Sequence, residues 1–172
     1  MSSSKEAGHH RTSGSSECPE HSGLILYGAN NIFTVLSEGR QVLCRIKGKV
    51  LRQDEAAYNP LAPGDEVCFV PDEGDPARGL ITGRAERVNA FIRWNRKREA
   101  PQTVAANVDL VVCVASIASP PFRPRFIDRV LVAVGGIPAL VLINKNDLDS
   151  KVWERERIEN YRKIGYRVHS CS

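Results

Sequence analysis

No apolar run in these 172 residues approaches the roughly 18 needed to span a bilayer, and the N-terminus lacks the apolar core of a signal peptide. A cytoplasmic chain with no membrane partner is the expectation. Cys-x-x-Cys is absent, as is any Cys/His pairing at metal spacing. The five cysteines, Cys18, Cys44, Cys68, Cys113 and Cys171, are odd in number and far apart, and three of them lie inside apolar strand-like runs, which predicts buried reduced thiols. A strong charge of one sign is lacking too. The net charge of +4 permits binding to RNA or an anionic surface without requiring it. What remains, 42% hydrophobic and 26% charged residues, is the composition of an ordinary soluble protein with room for one large domain or two small ones.

Residues 1–22 are rich in Ser, His and Glu and carry no apolar period, so a disordered tail is expected. His9, His10, Cys18 and His21 are better explained there as solvated groups than as a metal cluster, because ordering the tail would consume the binding energy. From 23 to 99 the pattern changes to short β-prone runs at 23–27, 32–36, 41–46, 67–70 and 80–85, broken by Gly, Pro and Asn clusters. Five short strands with no helix among them predict a small OB-type barrel; an SH3-like barrel would look similar. OB barrels commonly bind RNA or single strands along one face. Toward the end of this region Arg84, Arg87, Arg93, Arg96, Lys97 and Arg98 are interleaved with Phe91 and Trp94. Cations for phosphates and aromatic faces for bases are what an RNA surface needs, although a solvated charge run with two rings packed inward would read the same way.

A linker is expected at 100–106, followed by a second domain over 107–172. Its apolar run at 110–115 predicts a strand, and Pro124 opens a helix with Ile127, Val130, Leu131 and Val134 on one face. A second strand at 139–143, a charged helix at 151–164 and a strand from Tyr166 complete β-α-β-α-β, half of a doubly wound sheet. The strand at 139–143 has no polar member, which predicts burial on both faces. It runs straight into Asn144-Lys145-Asn146-Asp147.

Ligands of open α/β sheets sit beyond the carboxyl ends of such strands, and Asn-Lys-x-Asp there is how GTP-binding proteins read guanine. A carboxylate in the plane of the base, here Asp147, accepts from the ring N1 hydrogen and the exocyclic 2-amino group; adenine offers no such pair. Asn144 would tie the loop together and reach the other edge of the base, and the stem of Lys145 would lie over its face. A polar turn capping the next helix is the plainer alternative. Against a complete nucleotide site stands the lack of a phosphate cradle: Gly-x-x-x-x-Gly-Lys-Ser/Thr occurs nowhere, and its nearest approach, Gly48-Lys49, is followed by Val50 and has Leu43 where the first glycine belongs.

A barrel ahead of the guanine motif, with no phosphate loop upstream, resembles the circularly permuted, small-subunit-dependent ribosome biogenesis GTPases of the YjeQ/EngC type. The similarity runs from about Gly23 to Ser172. It is carried by Cys44-Arg45 to Lys49, Pro63-Gly64-Asp65-Glu66-Val67, Arg87-Val88-Asn89 to Arg93, Ala106-Asn107-Val108-Asp109, Phe126-Ile127-Asp128-Arg129 and Asn144-Lys145-Asn146-Asp147, in that order. The resemblance implies an N-terminal OB-type β-barrel followed by an incomplete circularly permuted P-loop GTPase α/β domain. It implies guanine binding by Asn144, Lys145 and Asp147, with Ser172 as the serine of the second guanine loop. It also implies GTP or GDP with magnesium, a zinc ion in a C-terminal domain, and a monomer that binds the small ribosomal subunit and its rRNA. In the family the phosphate loop, the magnesium-binding switch and the zinc domain follow the position of Ser172. The expectation is thus the N-terminal part of such a GTPase, as a truncated product or an incomplete sequence, with no catalytic residue among those present. A non-enzymatic RNA-binding module retaining a remnant of the GTPase domain is the rival.

Overall fold

The computed structural model describes residues 21–29, 31–46 and 60–172. Most of the expected tail, and Gly48-Lys49 with the rest of 47–59, lie outside the described residues; His21 and Ser22, assigned to that tail, open the first strand.

Alternation of apolar and polar residues produces the barrel. Its strands are β1 (His21–Ala29), β2 (Ile32–Ser37), β3 (Arg40–Ile46), β4 (Glu66–Pro71) and β5 (Arg78–Arg84). They close in the order β1-β2-β3-β5-β4, and β4 pairs back onto β1 through Leu24 opposite Glu66. All ladders are antiparallel except β3 with β5. The inward set at period two, Ile25, Phe33, Val35, Val42, Cys44, Val67, Phe69 and Ile81, joins Leu61 in one apolar core. This is the OB-type barrel the strand pattern predicts.

Residues 100–106 are not a linker. They form β7 (Ala100–Ala106), paired antiparallel with β6 (Ala90–Asn95) in a hairpin of its own. Pro101 and three alanines disguise the strand, and it is the facing strand rather than local propensity that fixes it.

The third unit is a parallel sheet in the order β10-β9-β8, made of β8 (Val111–Ser116), β9 (Ala139–Asn144) and β10 (Arg167–Ser170). The crossovers are α1 (Pro124–Val134), with proline in its first turn, and α2 (Val152–Lys163). The carboxylate of Glu154 accepts the Lys151 backbone N–H at 2.8 Å, closing the start of α2. Cys113, Val141 and Ile143 of the sheet share a core with Ile127, Leu131, Ile158 and Tyr161 of the helices. The opposite face does not follow the expectation of burial on both sides. Val112 and Val114 are 44% and 52% exposed there, with Leu140 and Leu142 of β9 half-buried beside them, because both helices pack on one side.

The cysteine expectation holds for two of the three strand residues. Cys44 and Cys113 are buried free thiols, and burial pushes the Cys44 thiol up to about 11 and that of Cys113 in the same direction. Cys68, on a half-buried position of β4, is disulfide-bonded.

Candidate functional site

Asn144 is the last residue of β9 and Asn144, Lys145 and Asp147 sit beyond the carboxyl edge of the sheet, where β8 also ends. Lys145 adopts a left-handed backbone, φ 60°, a conformation costing a non-glycine residue of order 1 kcal/mol. Local hydrogen bonds offset it. The Lys145 N–H donates to Asn144 Oδ1 at 2.8 Å, and the Leu148 N–H to the Lys145 carbonyl at 3.1 Å. The half-buried Lys145 side chain crosses to the loop after β8, its Nζ donating to the Ser119 carbonyl at 2.5 Å.

The segment after β10 completes the frame. The Cys171 N–H donates to the Ile143 carbonyl at 2.8 Å, its carbonyl accepts from Asn146 N–H at 3.0 Å, and its Sγ lies 3.6 Å from Asn144 Oδ1. Ser172, next in the chain, is therefore held beside the Asn144 loop and is exposed. The loop is tied to β8, β9 and β10, and yet Asp147 is exposed and has no hydrogen bond or ion pair among the described residues. A fixed loop presenting an unpaired carboxylate can accept two parallel hydrogen bonds from a planar donor pair. Nothing local in the sequence announces the parts played by Ser119 and Cys171, which lie 25 or more positions away from the loop they hold.

The predicted RNA-binding residues separate into two places. Arg87 grips Asp65 through Nε and Nη2 at 2.7 and 2.8 Å and reaches Thr103 Oγ1 and the Pro60 carbonyl at 3.3 Å; Arg84 Nη1 is 3.9 Å from the same carboxylate. Asp65 is wholly buried and also accepts the Ala62 N–H at 2.7 Å. Arg84 and Arg87 are thus committed to the protein's own carboxylate, which takes them out of a phosphate-facing set. Arg93, Trp94, Arg96, Lys97 and Arg98 stay together on the hairpin, all exposed. Asn95 Oδ1 accepts the N–H groups of Lys97 and Arg98 at 3.1 and 3.3 Å and so shapes the tip. Arg93 lies within 3.3 Å of Gln102 across the ladder, and Phe91 is half-buried.

Around Asp65 several separate sequence marks meet. Asn107 Nδ2 donates to the Gly64 carbonyl, Asn107 Oδ1 accepts the Val88 N–H, and Asn89 exchanges hydrogen bonds with Val108 at 2.7 and 3.0 Å. Gly64 has φ 88°, and a Cβ there would lie 2.1 Å from the Ala106 carbonyl oxygen. This clasp fastens the barrel to the hairpin and to the start of the α/β unit.

The RsgA GTPase family model matches residues 84–172. The chain belongs to that family. The small ribosomal subunit biogenesis GTPase RsgA of Borrelia recurrentis is 37% identical over 152 residues, covering 86% of this chain and 48% of the relative. RsgA of Chlorobaculum tepidum is 37% identical, covering 74% of this chain and 43% of the relative. Among solved structures, YjeQ from Thermotoga maritima is 26% identical with a TM-score of 0.61, covering 88% of this chain and 51% of that one. The structure of YloQ, described as a circularly permuted GTPase, is 28% identical with a TM-score of 0.59, covering 96% and 54%. The chain spans about half the length of these RsgA relatives. A GTPase family implies GTP with magnesium, but among the described residues no group of three or more His, Cys, Asp and Glu is placed to hold a metal ion.

Proposed function

We propose that this chain acts in small ribosomal subunit biogenesis, joining the base-reading part of a guanine-nucleotide site to a unit that binds the subunit's rRNA. Asp147 accepts the N1 hydrogen and 2-amino group of guanine, Asn144 holds the loop and meets the other edge, Lys145 covers the base, and Ser172 closes the far side. The rRNA contacts come from the hairpin, with Arg93, Arg96, Lys97 and Arg98 on phosphates and Trp94 on a base, in the cytoplasm. The observation that carries the nucleotide reading is the exposed, unpartnered Asp147 on a loop fixed from three strands. Phosphate contacts and magnesium supply much of the grip on GTP and much of the charge stabilisation in its hydrolysis, and the sequence holds no phosphate cradle. Binding should therefore be weak, and this chain should turn over no GTP even with small subunits present.

Titration of the isotope-labelled chain with GDP, and with ADP as control, tests the reading by NMR. GDP should move the amide signals of Lys145, Asn146, Asp147, Cys171 and Ser172, while ADP leaves them in place. Equal shifts with both nucleotides would rule out guanine reading. Subunit-stimulated GTP turnover by the 172-residue chain would show that the catalytic parts are present after all, whereas binding to small subunits with no nucleotide response would favour the plain RNA-binding module.

A further inference from the structure

Helix α1 carries a surface that the guanine loop and the hairpin do not use. Arg123, Pro124, Arg125, Phe126 and Arg129 line a shallow concavity of about 480 Å³. Phe126 is 50% exposed, an unusual position for a ring on a helix whose other face buries Ile127, Leu131 and Val134. Arg125, Phe126 and Arg129 follow one another at i, i+1 and i+4, so they share the outer face, and Arg123 precedes the first turn. None of the three arginines has an ion pair or side-chain hydrogen bond among the described residues. The acidic residue of the same helix, Asp128, cannot neutralise them. It is held 2.8 Å from Arg157 Nη2 and accepts the Tyr161 hydroxyl at 2.8 Å, on the side facing α2.

Three unpaired guanidinium groups around one exposed ring suit a ligand with several phosphates and a flat, apolar face. We propose that this α1 surface is a second RNA-binding site, in which Arg123, Arg125 and Arg129 contact backbone phosphates and Phe126 stacks on an unpaired base. Guanidinium forks match phosphate oxygens, and base stacking on an aromatic ring is tolerant of sequence. Helix α1 packs beside β6, so the patch lies on the element next to the hairpin that carries Arg93 and Trp94. One strand of RNA could follow both. This inference rests on the proposed role in small-subunit biogenesis and adds a surface to it.

The test compares the full 172-residue chain with Arg123→Gln/Arg125→Gln/Arg129→Gln and with Phe126→Leu, which keeps an apolar side chain but removes the ring. Binding to purified small subunits and to a single-stranded oligouridylate is measured over a salt series, with circular dichroism as the check on folding. All four positions lie on the surface, so both variants should fold. The triple variant should lower the slope of log affinity against log salt by about 2, at roughly 0.7 per lost phosphate contact on a single strand. Phe126→Leu should weaken oligouridylate binding roughly tenfold with the slope unchanged. If the parent chain binds small subunits and both variants bind as well as it does, the α1 site is overturned and the broader reading survives. If the parent chain binds no small subunits, the broader reading falls and this site with it. Loss of binding to anionic lipid vesicles in the triple variant, with RNA binding intact, would reassign the patch to a membrane surface.

Discussion

At the junction of barrel and hairpin, Asp65 is enclosed completely, with Arg87 on both of its oxygens and Arg84 within 3.9 Å. Just past the end of β9, Asp147 is open to solvent and has no hydrogen bond or ion pair among the described residues. Both carboxylates belong to stretches by which the sequence resembles its family, yet one is spent inside the fold and the other is left available. The difference teaches what a family motif means physically. A buried carboxylate must be satisfied internally because its desolvation is costly, so a motif that ends in burial is a structural one. An unpaired charge on a loop that is otherwise held by hydrogen bonds to neighbouring strands is a binding group held ready, because ordering it on ligand binding costs little more.

The largest expected effect comes from breaking the closed half of this pair. Asp65→Ala leaves the largely enclosed Arg87 without its counter-charge, and removal of one partner of a buried pair costs about 3–5 kcal/mol. Urea denaturation should show that loss, and Asp147→Ala in the same assay should change stability by less than about 0.5 kcal/mol. Equal losses would erase the distinction between the two carboxylates. Gly64→Ala comes next: its Cβ would meet the Ala106 carbonyl oxygen at 2.1 Å from a backbone with φ 88°. Strain of this kind costs roughly 1–3 kcal/mol, and the clash adds to it. Because both substitutions act on one clasp, the double variant should lose less than the sum of the two.

How far the sequence discloses these two regions follows from how local their causes are. The barrel strands, α1 and β9 are legible because period-two and helical apolar spacing is a property of contiguous residues, and the Asn144 to Asp147 motif is contiguous as well. Strand β7 is not legible, since its pairing comes from β6 and its own alanines and Pro101 favour no strand. Arg87 cannot be told apart from Arg93 in the sequence, because its partner Asp65 stands 22 positions earlier. The exposed Val112 and Val114 escape for the same reason: an apolar run does not say on which side its helices will pack.

Alkaline titration tests whether loss of stability resides in the cores rather than in the clasp. Burial raises Cys44 from an ordinary 9.0 to about 11. Burial, with the hydrogen bond to Asp128, raises Tyr161 from 10.0 to about 12 against the opposing pull of Arg157. For both groups the folded state holds its proton more tightly than the unfolded chain does. Their contribution is therefore intact below about pH 9 and is lost as pH rises through 11 for the thiol and 12 for the phenol, by an amount of order 2 kcal/mol each. Cys44→Ala should flatten the first part of the decline and Tyr161→Phe the second. A decline unchanged in both variants would place the titrating groups elsewhere.

The smallest energetic effect and the most specific readout belong to Asp147→Asn. The side chain is exposed and makes no hydrogen bond or ion pair among the described residues, so stability should be nearly unchanged. Replacing one carboxylate oxygen by an amide nitrogen puts a donor where guanine also presents a donor, its 2-amino group, and where xanthine instead presents a carbonyl acceptor. The variant should lose its NMR response to GDP and gain one to XDP at the same amides, a reversal of preference produced as much by the new clash with guanine as by the new bond to xanthine. The Lys145 and Cys171 signals should otherwise keep their positions, because the frame around Asn144 does not depend on Asp147. An Asp147→Asn chain that still responds to GDP and ignores XDP would remove Asp147 from the base-reading position, and with it the claim that its freedom from internal partners marks it as a ligand group.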